Sequence, residues 1–261
     1  MKELTDVIIC GDSREILKEI PNESVGLVFT SPPYFNARPE YALYESYDTY
    51  LESLYDVFDE CHRILKEGRF CIVNTSPVLI PRRKRSESSV RIPIPFDLNY
   101  IMRQLDFDFM DDIIWVKPEG AGWGTSRGRR FSKDRTPLQY KTVPVTEYVM
   151  VYRKHSDRLI DWNIRSHDQH LVELSKVPDG YERTNVWKIN PSKDKKHPAV
   201  FPYELADKVV KYYSFVDDIV LDPFVGSGTT ALAARNNGRH YIGIDKEEKY
   251  VGYARKRLSE K

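Results

Sequence analysis

The sequence predicts an α/β sheet protein, and three observations carry that prediction. Short apolar runs alternate with segments of helical periodicity, the pattern of strands joined by crossover helices. The chain has 261 residues, 41% hydrophobic and 30% charged, enough apolar material for a sizeable core. The longest apolar runs reach only about five residues, far short of the ~20 that span a bilayer.

Seven runs qualify as strands: Asp6–Cys10, Val25–Thr30, Arg69–Asn74, Asp111–Val116, Thr146–Tyr152, Asp218–Leu221 and His240–Ile244. Each is bounded by polar or turn-forming residues. The clearest helix is Tyr47–Lys66, where Leu51, Leu54, Tyr55, Phe58 and Leu65 recur at helical spacing and Gly68 follows as a natural stop. Pro202 can open a second helix, with Leu205, Val209 and Tyr213 on one face. A third begins after Gly228, and a fourth covers Lys246–Leu258.

Three stretches break the pattern. Residues 75–95 hold Arg82-Arg83-Lys84-Arg85 and several prolines, and residues 118–145 hold Gly120, Gly122, Gly124 and Gly128 beside Arg127, Arg129, Arg130, Lys133 and Arg135. The third, 153–190, is polar and near neutral. The first two read as insertions at one edge of the sheet, since long structureless loops in a compact domain are functional or disordered. No linker divides the chain, so 1–261 reads as a single domain.

Charge and cysteines exclude several classes. Lys plus Arg is 40 and Asp plus Glu 39, a net charge of +1, which excludes a polybasic tail protein but not a local basic face. Cys10, Cys61 and Cys71 are an odd number without a CxxC pair, so neither a disulfide scaffold nor a cysteine-rich zinc site is expected, and a reducing cytoplasm fits. Met1–Asp6 lacks the pattern of a signal peptide, and no membrane partner is expected. His167-Asp168-Gln169-His170 lacks a third ligand and reads as a polar loop, so no metal is expected. No GxSxG elbow is present.

Two segments carry chemistry. Residues 222–230, Asp-Pro-Phe-Val-Gly-Ser-Gly-Thr-Thr, follow a strand and open a helix. Gly226 and Gly228 permit a sharp turn and close approach of a ligand, and unpaired N–H groups at the helix start attract a carboxylate or phosphate. Asp245 ends the next strand, where an acidic residue can accept from both ribose hydroxyls. Ala231 stands where a dinucleotide fingerprint has its third glycine, and no GK[ST] follows, so this is no P-loop. The other segment is Thr30-Ser31-Pro32-Pro33-Tyr34. Its two prolines carry no N–H, so the turn offers carbonyls and a hydroxyl, which suits a ligand presenting an NH₂ group. Tyr34 adds a flat face for a planar ring. A rigid loop with a core tyrosine is the alternative reading of the same residues.

Taken together, Thr-Ser-Pro-Pro-Tyr at 30–34 and Asp-Pro-Phe-Val-Gly-Ser-Gly-Thr-Thr at 222–230 resemble the amino-group DNA methyltransferases. The order, catalytic motif first and cofactor motif last, resembles their β-type circular permutation. Cys10-Gly11-Asp12-Ser13 looks like the family's adenine-side motif, and His197-Pro198-Ala199-Val200-Phe201-Pro202 like the segment before its cofactor strand. The resemblance covers 6–74, 111–116, 146–152 and 185–258.

It implies a doubly wound, mostly parallel, Rossmann-like sheet of seven strands in one permuted methyltransferase domain. The catalytic half would be 1–74, the target-recognition insertions about 75–145 and 153–190, and the cofactor half about 190–261. The implied donor is S-adenosylmethionine. Asp222, Pro223, Phe224, Gly226, Ser227, Gly228 and Thr229 would surround its methionine part, Asp245 its ribose and Asp12 its adenine, with His197 and Pro198 near the methionine end. Ser31, Pro32, Pro33 and Tyr34 would hold the target base. Members with Ser-Pro-Pro-Tyr typically methylate cytosine N4, so the expected reaction is N4-cytosine methylation of DNA. Adenine N6 is the alternative, followed by a glutamine side chain in a protein, as in methyltransferases with a related turn, and by a DNA-binding relative without catalysis. Cytosine C5 chemistry needs a cysteine nucleophile, which that family carries after a proline, and no cysteine here follows one.

The expected partner is double-stranded DNA with a flipped target base. Arg82, Arg83, Lys84, Arg85, Arg127, Arg129 and Arg130 would contact phosphates. β-type relatives are often homodimers, and the family's prokaryotic or viral setting leaves room for a cognate restriction endonuclease.

Overall fold

A computed structural model describes residues 4–36, 44–80, 84, 86, 87, 90–119, 137, 138, 144–192 and 200–260. The fold is α/β with a mostly parallel central sheet. Eight strands form it: β1 (Val7–Cys10), β2 (Val25–Thr30), β3 (Leu65–Thr75), β6 (Phe107–Val116), β7 (Thr146–Lys154), β8 (Val186–Lys188), β9 (Ile219–Asp222) and β10 (His240–Asp245). Two further strands, β4 (Val78–Ile80) and β5 (Val90–Ile92), make a separate antiparallel hairpin.

The sheet order is β1-β10-β9-β2-β3-β7-β6-β8. From β1 to β3 every pairing is parallel. β7 runs antiparallel to both β3 and β6, and β8 is parallel to β6. Among the described residues the sheet therefore has eight strands rather than the expected seven. The additional strand is the three-residue β8, too short for an alternating pattern to register.

Burial explains the middle of the sheet. All six residues of β2 are buried, as a parallel strand covered on both faces requires. Leu27 and Phe29 enter one core and Val28 the other, and a register irregularity between Val25 and Leu27 puts Val25 in the same core as Val28. Helix α2 (Tyr47–Ile64) covers the first core through Tyr50, Leu54, Val57, Phe58, Cys61 and Ile64. Ser46 caps it, accepting from Thr49 N–H at 3.0 Å. Helix α3 (Ile94–Gln104) joins the same core through Leu98, Ile101 and Met102. On the other face lie α6 (Tyr203–Tyr213) and α7 (Thr229–Asn236). The terminal helix α8 (Glu248–Ser259) packs Val251 and Ala254 against Ile8, Val225 and Ala231.

Gly68 does not stop α2. That helix ends at Ile64 and the chain enters β3 at Leu65, which is already extended. Gly68 sits inside β3 at φ +67°, where an added Cβ would meet Asn163 and Arg153 side chains at 2.7 and 2.9 Å. It serves close packing within a strand rather than helix termination.

The first two irregular stretches do not leave from an edge of the sheet. Residues 75–95 follow β3, fifth of the eight strands, and contain the β4–β5 hairpin. Residues 118–145 follow β6. β2, β3, β6 and β9 run in one direction, so both stretches emerge at the same end of the sheet as residues 31–34 and 223–228. The third stretch starts at the other end, because β7 runs the opposite way. There it forms helices α4 (Ile160–Ser166) and α5 (Gln169–Leu174). It returns to the first end only through β8. Among the described residues no helix is long and apolar enough to cross a membrane.

Candidate active site

The two chemistry-bearing segments leave adjacent parallel strands. β2 pairs directly with β9, Leu27 opposite Val220 and Val28 opposite Leu221. From β2 the chain crosses through α2 to β3, and from β9 it crosses through α7 to β10 on the opposite side. The strand order thus reverses between β2 and β9, the point where open α/β sheets form a ligand crevice at their carboxyl ends. Thr30 Oγ1 donates to Asp222 Oδ1 at 2.6 Å across this point. Tyr34 and Phe224, each partly buried, pack against the same hydrophobic core.

On the β9 side the turn is held from below. Asp222 is 2% exposed and also accepts from Phe224 N–H at 3.0 Å. Burial pushes its carboxyl up to about 6, against the opposing hydrogen bonds from Thr30 and the backbone. Val225 N–H donates to Ile244 O at 2.8 Å, and Gly226 N–H to Asp245 Oδ2 at 3.0 Å. Gly228 takes φ +80° as N-cap of α7, and a Cβ there would lie 3.0 Å from the Ala254 Cβ. Glycine is therefore required twice over, by backbone conformation and by contact with α8. Ser227 is 3% and Thr229 5% exposed, and Arg257 donates to Ser227 O at 2.6 Å.

Asp245 ends β10 beside this turn. Its Oδ1 accepts from Glu247 N–H at 2.9 Å and its Oδ2 from Gly226 N–H. Burial raises its carboxyl above the ordinary range. Each oxygen retains a lone pair, so paired hydroxyls of a ribose suit it. Gly11 N–H donates to Asp245 O at 3.0 Å, which sets the end of β1 alongside. Asp12, next in the chain, caps the one-turn helix α1 (Ser13–Ile16) and pairs with Arg14 at 2.7 Å. That pairing lowers its carboxyl. Ser13, quoted in the adenine-side motif but given no role there, is buried and donates to Pro223 O at 2.5 Å. A buried and a partly buried carboxylate beside a glycine turn are a donor set that fits a nucleoside bearing a cationic sulfonium.

On the β2 side Pro32 is buried while Ser31, Pro33 and Tyr34 are half-buried. Phe35 anchors the turn in an aromatic cluster, 5.2 Å from the Tyr47 ring and 5.7 Å from the Tyr50 ring. Next to it, at the carboxyl end of β3, Asn74, Thr75 and Ser76 are buried polar side chains. Asn74 Oδ1, Thr75 Oγ1 and Ser76 Oγ have no hydrogen-bond partner among the described residues. Asn74 Nδ2 reaches Ser31 Oγ at 3.4 Å and Glu147 Oε2 at 2.9 Å. Sequence reasoning missed Asn74, Glu147 and Lys117. A carboxylate at the start of the apolar run 146–152 was the available signal.

Of the basic residues expected to touch DNA, Lys84 is exposed. Arg82, Arg83, Arg85, Arg127, Arg129 and Arg130 lie outside the described residues, as do His197 and Pro198.

The chain is similar to several known DNA methyltransferases. The chain is 32% identical to the Type II methyltransferase M.HinfI of Haemophilus influenzae, over 100% of this chain and 70% of that protein. It is 30% identical to the DNA adenine methyltransferase YhdJ of Escherichia coli K12, over 96% of this chain and 82% of that one. It is also 30% identical, over 96% of its length, to the Type II beta methyltransferase M.BslI of a Bacillus strain, but spans only 27% of that longer protein. Among solved structures, TTHA0409 of Thermus thermophilus complexed with S-adenosyl-L-methionine superposes with a TM-score of 0.75 at 30% identity, covering 97% of this chain and 93% of that one. Finally, the family model described as DNA methylase (N6_N4_Mtase) matches residues 25–256, and the chain belongs to that family of N6/N4 DNA methylases.

Proposed function

We propose that this chain transfers a methyl group from S-adenosylmethionine to the exocyclic N4 of cytosine in DNA. The carrying observation is the pairing of β2 with β9, which sets an acceptor-rich Ser-Pro-Pro-Tyr turn beside the glycine turn, joined by the Thr30–Asp222 hydrogen bond. The donor would be held by Asp222, Pro223, Phe224 and Gly226–Thr229 at its methionine part and by Asp245 at its ribose, with Asp12 on the adenine side. When bound it supplies an electrophilic methyl on a positively charged sulfur.

The residues of the chain do the rest. An exocyclic amine conjugated with its ring is a poor nucleophile. Accepting its two protons at Ser31 Oγ and the Pro32 carbonyl directs the nitrogen lone pair at the methyl carbon. The bound donor would supply the methyl to the amine nitrogen and leave as its neutral thioether, and the proton the methylated amine gives up would pass to solvent water. Buried Asp222 would hold negative charge at the turn that receives the cationic donor, so orientation and electrostatics would supply the acceleration. Tyr34 offers its ring to a base swung out of the duplex. Arg82, Arg83, Lys84, Arg85, Arg127, Arg129 and Arg130 would hold the phosphates. The recognition segments 75–95 and 118–145 emerge beside this turn, which favours DNA over a protein substrate.

Adenine N6 is the second reading, favoured by the similarity to an enzyme named for adenine methylation. Both bases present an amine beside a ring-nitrogen acceptor, so the same turn can hold either. The deciding experiment is methylation of duplex DNA with labelled donor, hydrolysis and nucleoside chromatography. Label in N4-methylcytosine supports the proposal, label in N6-methyladenine moves it to the second reading, and no label indicates a binding protein without catalysis.

A further inference from the structure

A buried charged cluster stands beside the catalytic turn and belongs to none of the motifs above. Glu147, the second residue of β7, is 7% exposed. Its Oε1 accepts from Lys117 Nζ at 2.5 Å, and its Oε2 accepts from Asn74 Nδ2 at 2.9 Å and from the Tyr34 hydroxyl at 3.2 Å. Asn74 Nδ2 also lies 3.4 Å from Ser31 Oγ. Lys117, just past β6, sits 4.5 Å from the centre of the Trp115 ring. Three strand ends, those of β3, β6 and β7, converge on one carboxylate.

Two features argue that the cluster does more than stabilise. A buried ion pair is a poor source of stability, because desolvation offsets most of the attraction, and apolar residues of similar volume do as well. The groups it reaches are also selective: Ser31 and Tyr34 are the two non-proline side chains of the four-residue turn. A serine hydroxyl has three staggered positions and a tyrosine ring is free to swing. Methyl transfer needs one arrangement of each.

We propose that Glu147 is a positioning residue for methyl transfer: it holds the Tyr34 hydroxyl directly and Ser31 through Asn74, with Lys117 as its counter-charge. This rests on the methyl-transfer reading above.

The test uses the full chain with duplex DNA and S-adenosylmethionine, comparing wild type with Glu147→Gln, Glu147→Ala, Tyr34→Phe and the Tyr34→Phe/Glu147→Ala double variant. Glu147→Ala is expected to lower kcat on the order of 10²-fold, the usual cost of a small misplacement in a reacting site, while its KM for the donor stays within about twofold. Glu147→Gln, which keeps the volume and one acceptor, should fall between. The double variant should lose no more than the worse single variant, because both changes cut the same link. A crystal structure of Glu147→Ala should show the Tyr34 ring displaced. Unchanged kcat in Glu147→Ala overturns the proposal, and so do losses that multiply in the double variant. If Glu147→Ala fails to fold, Glu147→Gln with Tyr34→Phe carries the same cycle. A wild-type protein that labels no DNA counts against methyl transfer itself, whereas an active wild type with fully active variants counts against Glu147 alone.

Discussion

Thr30 and Asp222 are 192 positions apart in the chain, yet the Thr30 hydroxyl donates to the Asp222 carboxylate at 2.6 Å. Each is the last residue of its strand, Thr30 of β2 and Asp222 of β9. The bond ties the turn that would receive the methyl group to the turn that would hold its donor. Neither residue is exposed beyond 2%, so the link works in a low dielectric where a hydrogen bond to a carboxylate is strong.

Asp222 makes stability depend on pH. Burial raises its carboxyl to about 6, so its stabilising contribution is complete below the unfolded value near 3.8 and is lost as pH rises through 6. That displacement is worth about 3 kcal/mol. Asparagine keeps an acceptor for Thr30 and removes the charge. Without donor, Asp222→Asn should melt several degrees above wild type at pH 7.5 and lose that advantage at pH 4. Calorimetry showing the same difference at both pH values refutes the assignment.

Donor affinity should show the opposite dependence. A cationic sulfonium favours the ionised carboxylates, and burial raises both Asp222 and Asp245. Titration calorimetry should therefore find S-adenosylmethionine binding weaker at pH 5 than at pH 7, by up to about tenfold per pH unit for one linked proton. A flat profile over that range argues against a charged donor at Asp222.

Ser31 and Tyr34 should matter for transfer rather than for donor binding. Removing one preorganised group at a reacting centre typically costs about 10²–10³ in kcat. Ser31→Ala and Tyr34→Ala should both lose label transfer to DNA, while donor affinity measured separately changes little. Transfer that survives both substitutions removes the turn from the active site.

Gly228→Ala tests the cofactor turn by shape alone. Its φ of +80° is strained for any side chain, and the added Cβ would sit 3.0 Å from that of Ala254. The strain and the overlap together should cost about 2–4 kcal/mol. Both the melting temperature and donor affinity should drop. An alanine variant with wild-type values would mean that the turn relaxes freely and grips nothing.

The basic run Arg127, Arg129 and Arg130 predicts a salt effect. Replacing all three by glutamine should weaken DNA binding across sequences and reduce the slope of log affinity against log salt by about three. An identical slope would exclude them from phosphate contact.

Local residue order already carries much of this protein. The glycine turn at 226–228 and Asp245 at the end of the next strand are legible because strand, turn and helix start follow one another within about 20 residues of chain. The buried run Val25–Thr30 and the face of α2 are legible for the same reason, as periodicity is a short-range property. Where short-range signals were weak the reading slipped. β8 is three residues long, and α3 lay unrecognised in 94–104. Gly68 read as a helix stop because glycine commonly ends helices, whereas close side chains of Asn163 and Arg153 set its role.

Sequence alone therefore determined the chemistry on offer: a proton-accepting turn, a glycine turn and an acid at the end of the following strand, each written in a short stretch of chain. Only the tertiary structure decided which of these meet and what surrounds them. Strand order brought Thr30 to Asp222, and the antiparallel insertion of β7 delivered Glu147 to Asn74 and Tyr34. The physical reason is that such neighbours are chosen by sheet pairing across 73 to 192 positions, and backbone pairing leaves no periodic mark on the residues it joins.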